Sequence, residues 1–200
     1  VSVLIPARNE ERNIKNCLES LQKQNYHNFE IILLDDDSQD RTLTIAQAIA
    51  NCDPRITVLS GKPLPDGWTG KNWACHQLSN QAAGEIIIFT DADNRHAPDA
   101  IAKTVAWMSH YSLDLLSAFP QQITRSLFEK LIVPVVDMFL YSLLPLWLTY
   151  YLPFPSLAAA NGQWIAFLKK SYQKMGGHAE VRKEIVEDVE LSRLAKRKKF

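Results

Sequence analysis

Net charge is the first thing this sequence lacks: 22 basic residues stand against 22 acidic ones. That balance leaves no global field to attract nucleic acid, and none is expected as a partner. Cysteine is scarce too. Cys17, Cys52 and Cys75 are odd in number and lack metal-ligand spacing, which points to reduced thiols in a cytosolic setting. There is no internal repeat, no low-complexity segment and no initiator methionine. Val1 already lies inside an apolar run, so the chain reads as a fragment, and the lack of a leader says little about its parent. What is present is an apolar fraction of 46% over 200 residues, enough for one large domain with a substantial core.

The apolar residues fall into a repeating order. Runs at "VSVLIP", "FEIILLDDDS", "RITVLS", "EIIIFTD" and "LDLLSAF" have strand character. Between them lie helical patterns. "NEERNIKNCLESLQKQ" spaces Ile14, Cys17, Leu18 and Leu21 along one face, with acids expected in its first turn. "DRTLTIAQAIANC" offers Asp40 as N-cap, "WACHQLSNQAA" follows a Gly- and Pro-rich loop, and "PDAIAKTVAWM" opens near Pro98. Strands that are apolar throughout and alternate with helices imply an α/β fold, a mostly parallel sheet covered on both faces. Ligands of such sheets sit beyond the carboxyl ends of the strands. Pro6 to Glu10, Asp35 to Ser38 and Asp91 to Asp93 are therefore expected along one rim.

After Ser126 the pattern changes. "LIVPVVDMFLYSLLPLWLTYYL" is strongly apolar and carries Pro134, Asp137 and Pro145. "LAAANGQWIAFLKKSYQKMGGH" reads as strand, turn, strand and short helix, and "EIVEDVELSRLAKRKK" as a closing helix.

Several clusters carry chemistry. Asp91 and Asp93 are two apart on an extended segment, so both carboxylates can face one hard divalent cation that bridges phosphate oxygens. The three acids Asp35, Asp36 and Asp37 repel one another and need a partner, such as a base N–H or a ribose hydroxyl. Lys71 follows two glycines in "GWTGKNWA", where backbone and ammonium can approach a phosphate; the spacing is not that of a Walker loop. Glu187 and Asp188 fit an ordinary acidic helix start. His76, His96 and His178 are read as structural or solvated, with His178 the candidate for a metal or phosphate contact.

"VSVLIPARNEERNI", "EIILLDDDSQDRT", "GKNWACHQLSNQAAGEIIIFTDADNRHAPDAI", "ANGQWIAFLKKSYQKMGGH" and "EDVELSRLAKR" together resemble, in order, the blocks of family 2 glycosyltransferases of the GT-A fold. "GWTGKNWA" and "AAANGQ" are similar to the branch that acts on carotenoid, hopanoid and other lipid-type acceptors. The resemblance implies that Pro6, Arg8 and Glu10 lie against the nucleotide, with Asp36 or its neighbour Asp35 reading the base. It puts Lys71 against the diphosphate, and makes Asp91 and Asp93 the D-x-D element. Asp93 is then the direct ligand of a divalent cation, Mn²⁺ or Mg²⁺. Asp188 matches the catalytic base, and Asn161, Gly162 and Gln163 the block lining the acceptor side. Two departures stand out. Asp37 replaces the usual small residue, and no Q-x-x-R-W block follows Asp188, which leaves processive synthesis unsupported.

The implied protein is an inverting, metal-dependent, non-processive hexosyltransferase that uses a UDP-linked donor and an apolar acceptor at the cytoplasmic face of a membrane. A non-catalytic nucleotide-binding scaffold of the same fold is the alternative, and oligomeric state stays open. The expected organisation is a nucleotide-sugar half over 1–119, an apolar interfacial segment over 120–156, and an acceptor and base half over 157–200. Leu131 to Leu152, 22 residues, is nominally long enough to span a bilayer. A crossing would, however, separate Asp91 and Asp93 from Asn161 and Asp188. Broken helices at the interface are expected instead, with Trp147, Tyr150 and Tyr151 at headgroup depth.

Overall fold

The computed structural model describes residues 1–124, 126–143, 146–152 and 154–200, without the side chains of 136, 137, 139–141, 143, 146 and 147. The expectations placed on Asp137, Pro145 and Trp147 lie outside the described residues.

Among the described residues, six strands form one sheet in the order β3-β2-β1-β4-β6-β5. They are β1 (Ser2–Ala7), β2 (Glu30–Asp35), β3 (Ile56–Ser60), β4 (Ile86–Phe89), β5 (Leu115–Ser117) and β6 (Ile165–Leu168). β1 to β4 pair in parallel, while β6 runs antiparallel to both β4 and β5. That single reversal organises the site. Because Phe89 at the carboxyl end of β4 pairs with Ile165 at the amino end of β6, the chain entering β6 arrives on the rim where β1, β2 and β4 end.

Helices α1 (Ile14–Gln22), α2 (Thr42–Ala50) and α4 (Ala100–His110) cover one face. α3 (Gly70–Gln81), α7 (Lys169–Met175) and α8 (Glu187–Arg197) cover the other. Alternation along β1 sends Val3 and Ile5 into the first core and Leu4 into the second. Covering both faces is why these strands carry no polar stripe.

Three local expectations are corrected. Glu10 and Glu11 precede α1 instead of forming its first turn. The N–H groups of Asn9, Glu10 and Glu11 donate to Ser38 Oγ, Thr42 Oγ1 and Asp40 Oδ2, bonds that hold this stretch in a loop. α2 is capped one residue late, at Arg41, though Asp40 Oδ1 still accepts from the Thr42 N–H at 2.9 Å. The run before Asn161 is no strand. A 3₁₀ turn, Pro155–Leu157, takes up its bonds locally: Ala158 N donates to Pro155 O, and Leu157 O accepts from Thr149 Oγ1.

Between β5 and β6 lie α5 (Leu127–Leu143) and α6 (Leu146–Tyr151). Pro134 lies inside α5 without interrupting it. It removes one ladder bond, to the carbonyl of Lys130, and both residues are exposed, so water can serve that carbonyl. Leu127, Phe128, Leu131, Ile132 and Met138 of α5 are exposed. Among the described residues no helix is long and apolar enough to cross a membrane.

Candidate active site

Beyond the ends of β1, β2 and β4 lies an open cavity of about 300 Å³. Pro6, Arg8, Glu10, Asp36, Lys71, Asp91 and Asp93 all line it. Each arrives by a short path: Pro6 is the penultimate residue of β1, Asp36 follows β2, and Asp91 and Asp93 follow β4. Lys71 lies in the first turn of α3, not in the preceding loop, and Thr69 Oγ1 caps that helix by accepting from Asn72 N.

Asp35 and Asp36 separate in role. Asp36 faces the cavity with Arg8 Nη1 3.7 Å from its carboxylate. Burial and the neighbouring Asp35 and Asp37 raise its pKa against the pull of Arg8. Asp35 is buried; its Oδ2 accepts from Ser38 N at 3.3 Å, and its Oδ1 is buried with no hydrogen-bond partner among the described residues.

Lys71 joins the two halves of the site. Its Nζ lies 3.0 Å from Asp91 Oδ1 and 2.8 Å from Glu187 Oε1. Burial disfavours the ammonium, but the two carboxylates outweigh it and raise the pKa above the ordinary lysine value. Glu187 is buried, so its charge requires this partner. The sequence offered Glu187 only as a helix-start acid. A lysine in a glycine-rich turn was the one visible hint of a partner, and the pairing spans 116 positions, Lys71 to Glu187.

Asp188, next on α8, accepts from Gly162 N at 2.7 Å through Oδ2. A Cβ placed on Gly162 would lie 3.4 Å from Lys71 Nζ and 3.5 Å from Asp188 Oδ2, so its backbone adjoins both groups. The segment before β6 is clamped to the Asp91–Asp93 loop. Thr90 Oγ1 and Asn94 Nδ2 both donate to Gln163 O, at 2.8 and 2.7 Å. Asn161 is half-buried, its Oδ1 accepting locally from Gln163 N and its own N–H donating to Ser117 Oγ. α8 is set by Asn72, which is buried in α3 and donates to the carbonyls of Val181 and Glu184.

Asp91 and Asp93 supply oxygen donors only, and Asp93 is exposed and makes no ion pair among the described residues. Among those residues no three His, Cys, Asp or Glu side chains converge as a metal cage. Two carboxylates that leave the remaining positions to diphosphate oxygens and water suit Mg²⁺ or Mn²⁺. His178 does not join them. It is buried, its Nδ1 lies 2.6 Å from Tyr172 Oη, and burial pushes its pKa down to about 3. It is a neutral core ring.

A mostly parallel sheet with one reversed strand, and paired acids on the rim where that strand enters, is the GT-A architecture. Solved structures bear this out. A mannosyltransferase from Pyrobaculum calidifontis, in complex with GDP-Man and Mn²⁺, superposes with a TM-score of 0.69 at 23% identity, over 88% of this chain and 46% of that one. TarS of S. aureus, in complex with UDP-GlcNAc, gives 0.59 at 19% identity, over 98% of this chain and 52% of that one. The chain belongs to glycosyl transferase family 2, whose model matches residues 2–147. Its curated relatives include 4,4'-diaponeurosporenoate glycosyltransferases, named for a carotenoid-type acceptor. That of Staphylococcus haemolyticus is 30% identical over 98% of this chain and 52% of its own length. That of Staphylococcus aureus strain USA300 is 29% identical over 94% and 48%. The chain thus spans about half the length of the curated relatives it matches, and the resemblance to the branch with lipid-type acceptors holds.

Proposed function

We propose that this chain carries the active site of an inverting, non-processive glycosyltransferase. It moves a hexose from a UDP-linked sugar to an apolar, lipid-type acceptor at the cytoplasmic surface of a membrane. The observation that carries this reading is Lys71 bridging Asp91 and Glu187, with Asp188 against the adjoining Gly162. Donor-side and acceptor-side carboxylates thereby share one ammonium and one rim.

The residues divide the work as follows. Asp35, with its unpartnered buried oxygen, and Asp36, open to the cavity, hold the base, and Pro6, Arg8 and Glu10 lie along the nucleotide. Asp91 and Asp93 hold a divalent cation, Asp93 more directly because Lys71 already occupies one oxygen of Asp91. When bound, the cation offsets the charge that develops on the leaving diphosphate. Lys71 adds a second positive charge there. Asp188 takes the proton of an acceptor hydroxyl or carboxylic acid. As it does, the acceptor oxygen bonds to the anomeric carbon, and the C–O bond to the diphosphate breaks with its electron pair. With an acceptor that is already an ionised carboxylate, Asp188 only positions. Asn161, Gly162 and Gln163 form the acceptor wall.

The exposed apolar residues of α5, together with Tyr150 and Tyr151 at the end of α6, support a seat at a lipid surface. In this reading 1–119 binds the donor, 120–156 meets the lipid and 157–200 supplies the base.

Melting the protein with nucleotide sugars tests the donor half. In the presence of Mn²⁺ or Mg²⁺, UDP-sugars should raise the melting temperature more than GDP- or ADP-sugars at equal concentration, because stabilisation follows concentration over Kd. No shift with any of them would overturn the assignment.

A further inference from the structure

A second cleft, of about 690 Å³, opens on the other side of the Asp91–Asp93 loop, between α4 and the edge strand β5. That volume lies within the roughly 300–1,000 Å³ of small-molecule sites. Its walls include Trp107, Leu116, Pro120, Ile123 and Trp164. Trp107 is 56% exposed and Ile123 70%, so large apolar surface is left open at the cleft. The opposite wall is fixed. Trp164 Nε1 donates to Thr104 Oγ1 at 2.9 Å, and the His96 ring packs 4.9 Å from the indole. Burial drives the His96 pKa down, so that ring is neutral. With the indole N–H satisfied, Trp164 offers the cleft an apolar face.

Two cations line the cleft, and they are not equivalent. Lys103 is paired with Asp99 at 2.6 Å, whereas Arg95 makes no ion pair among the described residues. Arg95 follows Asn94 in the loop that carries Asp93, and Asn94 is bonded to the carbonyl of Gln163, which also lines the cleft. Gln163 in turn follows Gly162, whose N–H holds Asp188. One end of the cleft therefore abuts the loops that bear the metal-side and base-side carboxylates. A planar guanidinium matches a carboxylate in a two-point contact.

We propose that this cleft seats the acceptor as a long-chain carboxylate. Its apolar chain lies between Trp107, Leu116, Ile123 and Trp164, and its carboxylate meets Arg95 beside the catalytic loops. The assignment of this molecule as the acceptor rests on the glycosyltransferase reading; its binding in the cleft does not.

The probe is cis-parinaric acid, a polyene carboxylic acid that accepts energy from tryptophan, with its methyl ester as the control. Wild-type protein should bind the acid saturably, below the concentration at which it aggregates, and should bind the ester more weakly. Ala118→Phe and Ala97→Phe put a ring into the cleft from exposed positions and should each weaken binding of the acid about tenfold or more without lowering the melting temperature. Arg95→Gln should cost the acid about tenfold and leave the ester unchanged. Absence of binding to the wild type overturns the proposal. So does equal binding by both cleft-filling variants, or an equal effect of Arg95→Gln on acid and ester. Nucleotide-sugar melting shifts on the same preparations keep the two readings apart. Parinarate binding that tracks the cleft without any nucleotide shift would leave the site standing and sink the transferase; the converse result would do the reverse.

Discussion

Two apolar stretches of this chain meet opposite fates. In β4, Ile87, Ile88 and Phe89 are buried between helices on both faces, and the chain leaves the strand directly into Thr90 and Asp91. In α5, Leu127, Phe128, Leu131 and Ile132 stay open to their surroundings. Hydrophobicity is common to both, and what differs is whether the topology provides a cover. β4 lies between β1 and β6 and is held by their ladders. α5 hangs between an edge strand and the strand that returns from it. Apolar sequence therefore marks surface that needs a cover, and whether the fold or another molecule provides it is decided by chain order.

The comparison breaks first at the rim. Asp188→Asn should lower the transfer rate by about 10² to 10⁴ while nucleotide affinity stays within a few fold, because a general base acts on the chemical step. Single-turnover rates set beside nucleotide titrations read this, and equal loss in both would remove Asp188 from that role.

It sharpens next with one residue type in both places. Ile88 is fully buried and Ile132 is 59% exposed. Ile88→Ala should cost about 2–5 kcal/mol of folding stability. Ile132→Ala should change it by no more than about 0.5 kcal/mol and should instead reduce binding to phospholipid vesicles. Denaturant melts and vesicle sedimentation on the same two variants decide it.

The last prediction concerns acid. Burial holds His96 at a pKa of about 4 and His178 at about 3. An unfolded histidine titrates near 6.5, so below that pH the unfolded chain binds protons that the folded chain refuses. Stability should fall as pH drops from about 6.5 toward 4, and His96→Gln should flatten part of that slope in melting curves.

The rim cluster was legible because each residue stands at or shortly after the carboxyl end of a strand: Pro6 in the last two residues of β1, Asp36 after β2, and Asp91 and Asp93 after β4 needed only the rim rule and a strand count. The stretch before β6 and the start of α8 were less so. Nothing local says that β6 is reversed, yet that reversal brings Asn161 to Gln163 onto the rim. Glu187 was underrated because acids at helix starts are common, and its burial against Lys71 arises only when α3 and α8 pack. The strand expected before Asn161 failed for a related reason. Its bonds were already satisfied by a turn, and propensity carries no information about which partner arrives first.

α8 has a further consequence. Its first turn holds Asp188 and Glu187, and its last turn holds Lys196, whose ammonium donates to the carbonyls of Thr149 and Leu152 at the end of α6. Eleven helical residues make a strut of about 16 Å. One end is tied to the carbonyls of Thr149 and Leu152, and the other carries Asp188, the base of the proposed mechanism. If Asp188 is the base proposed above, a tilt imposed on α6 would reach it through this strut, and any surface that the apolar helices rest on would bear on its alignment.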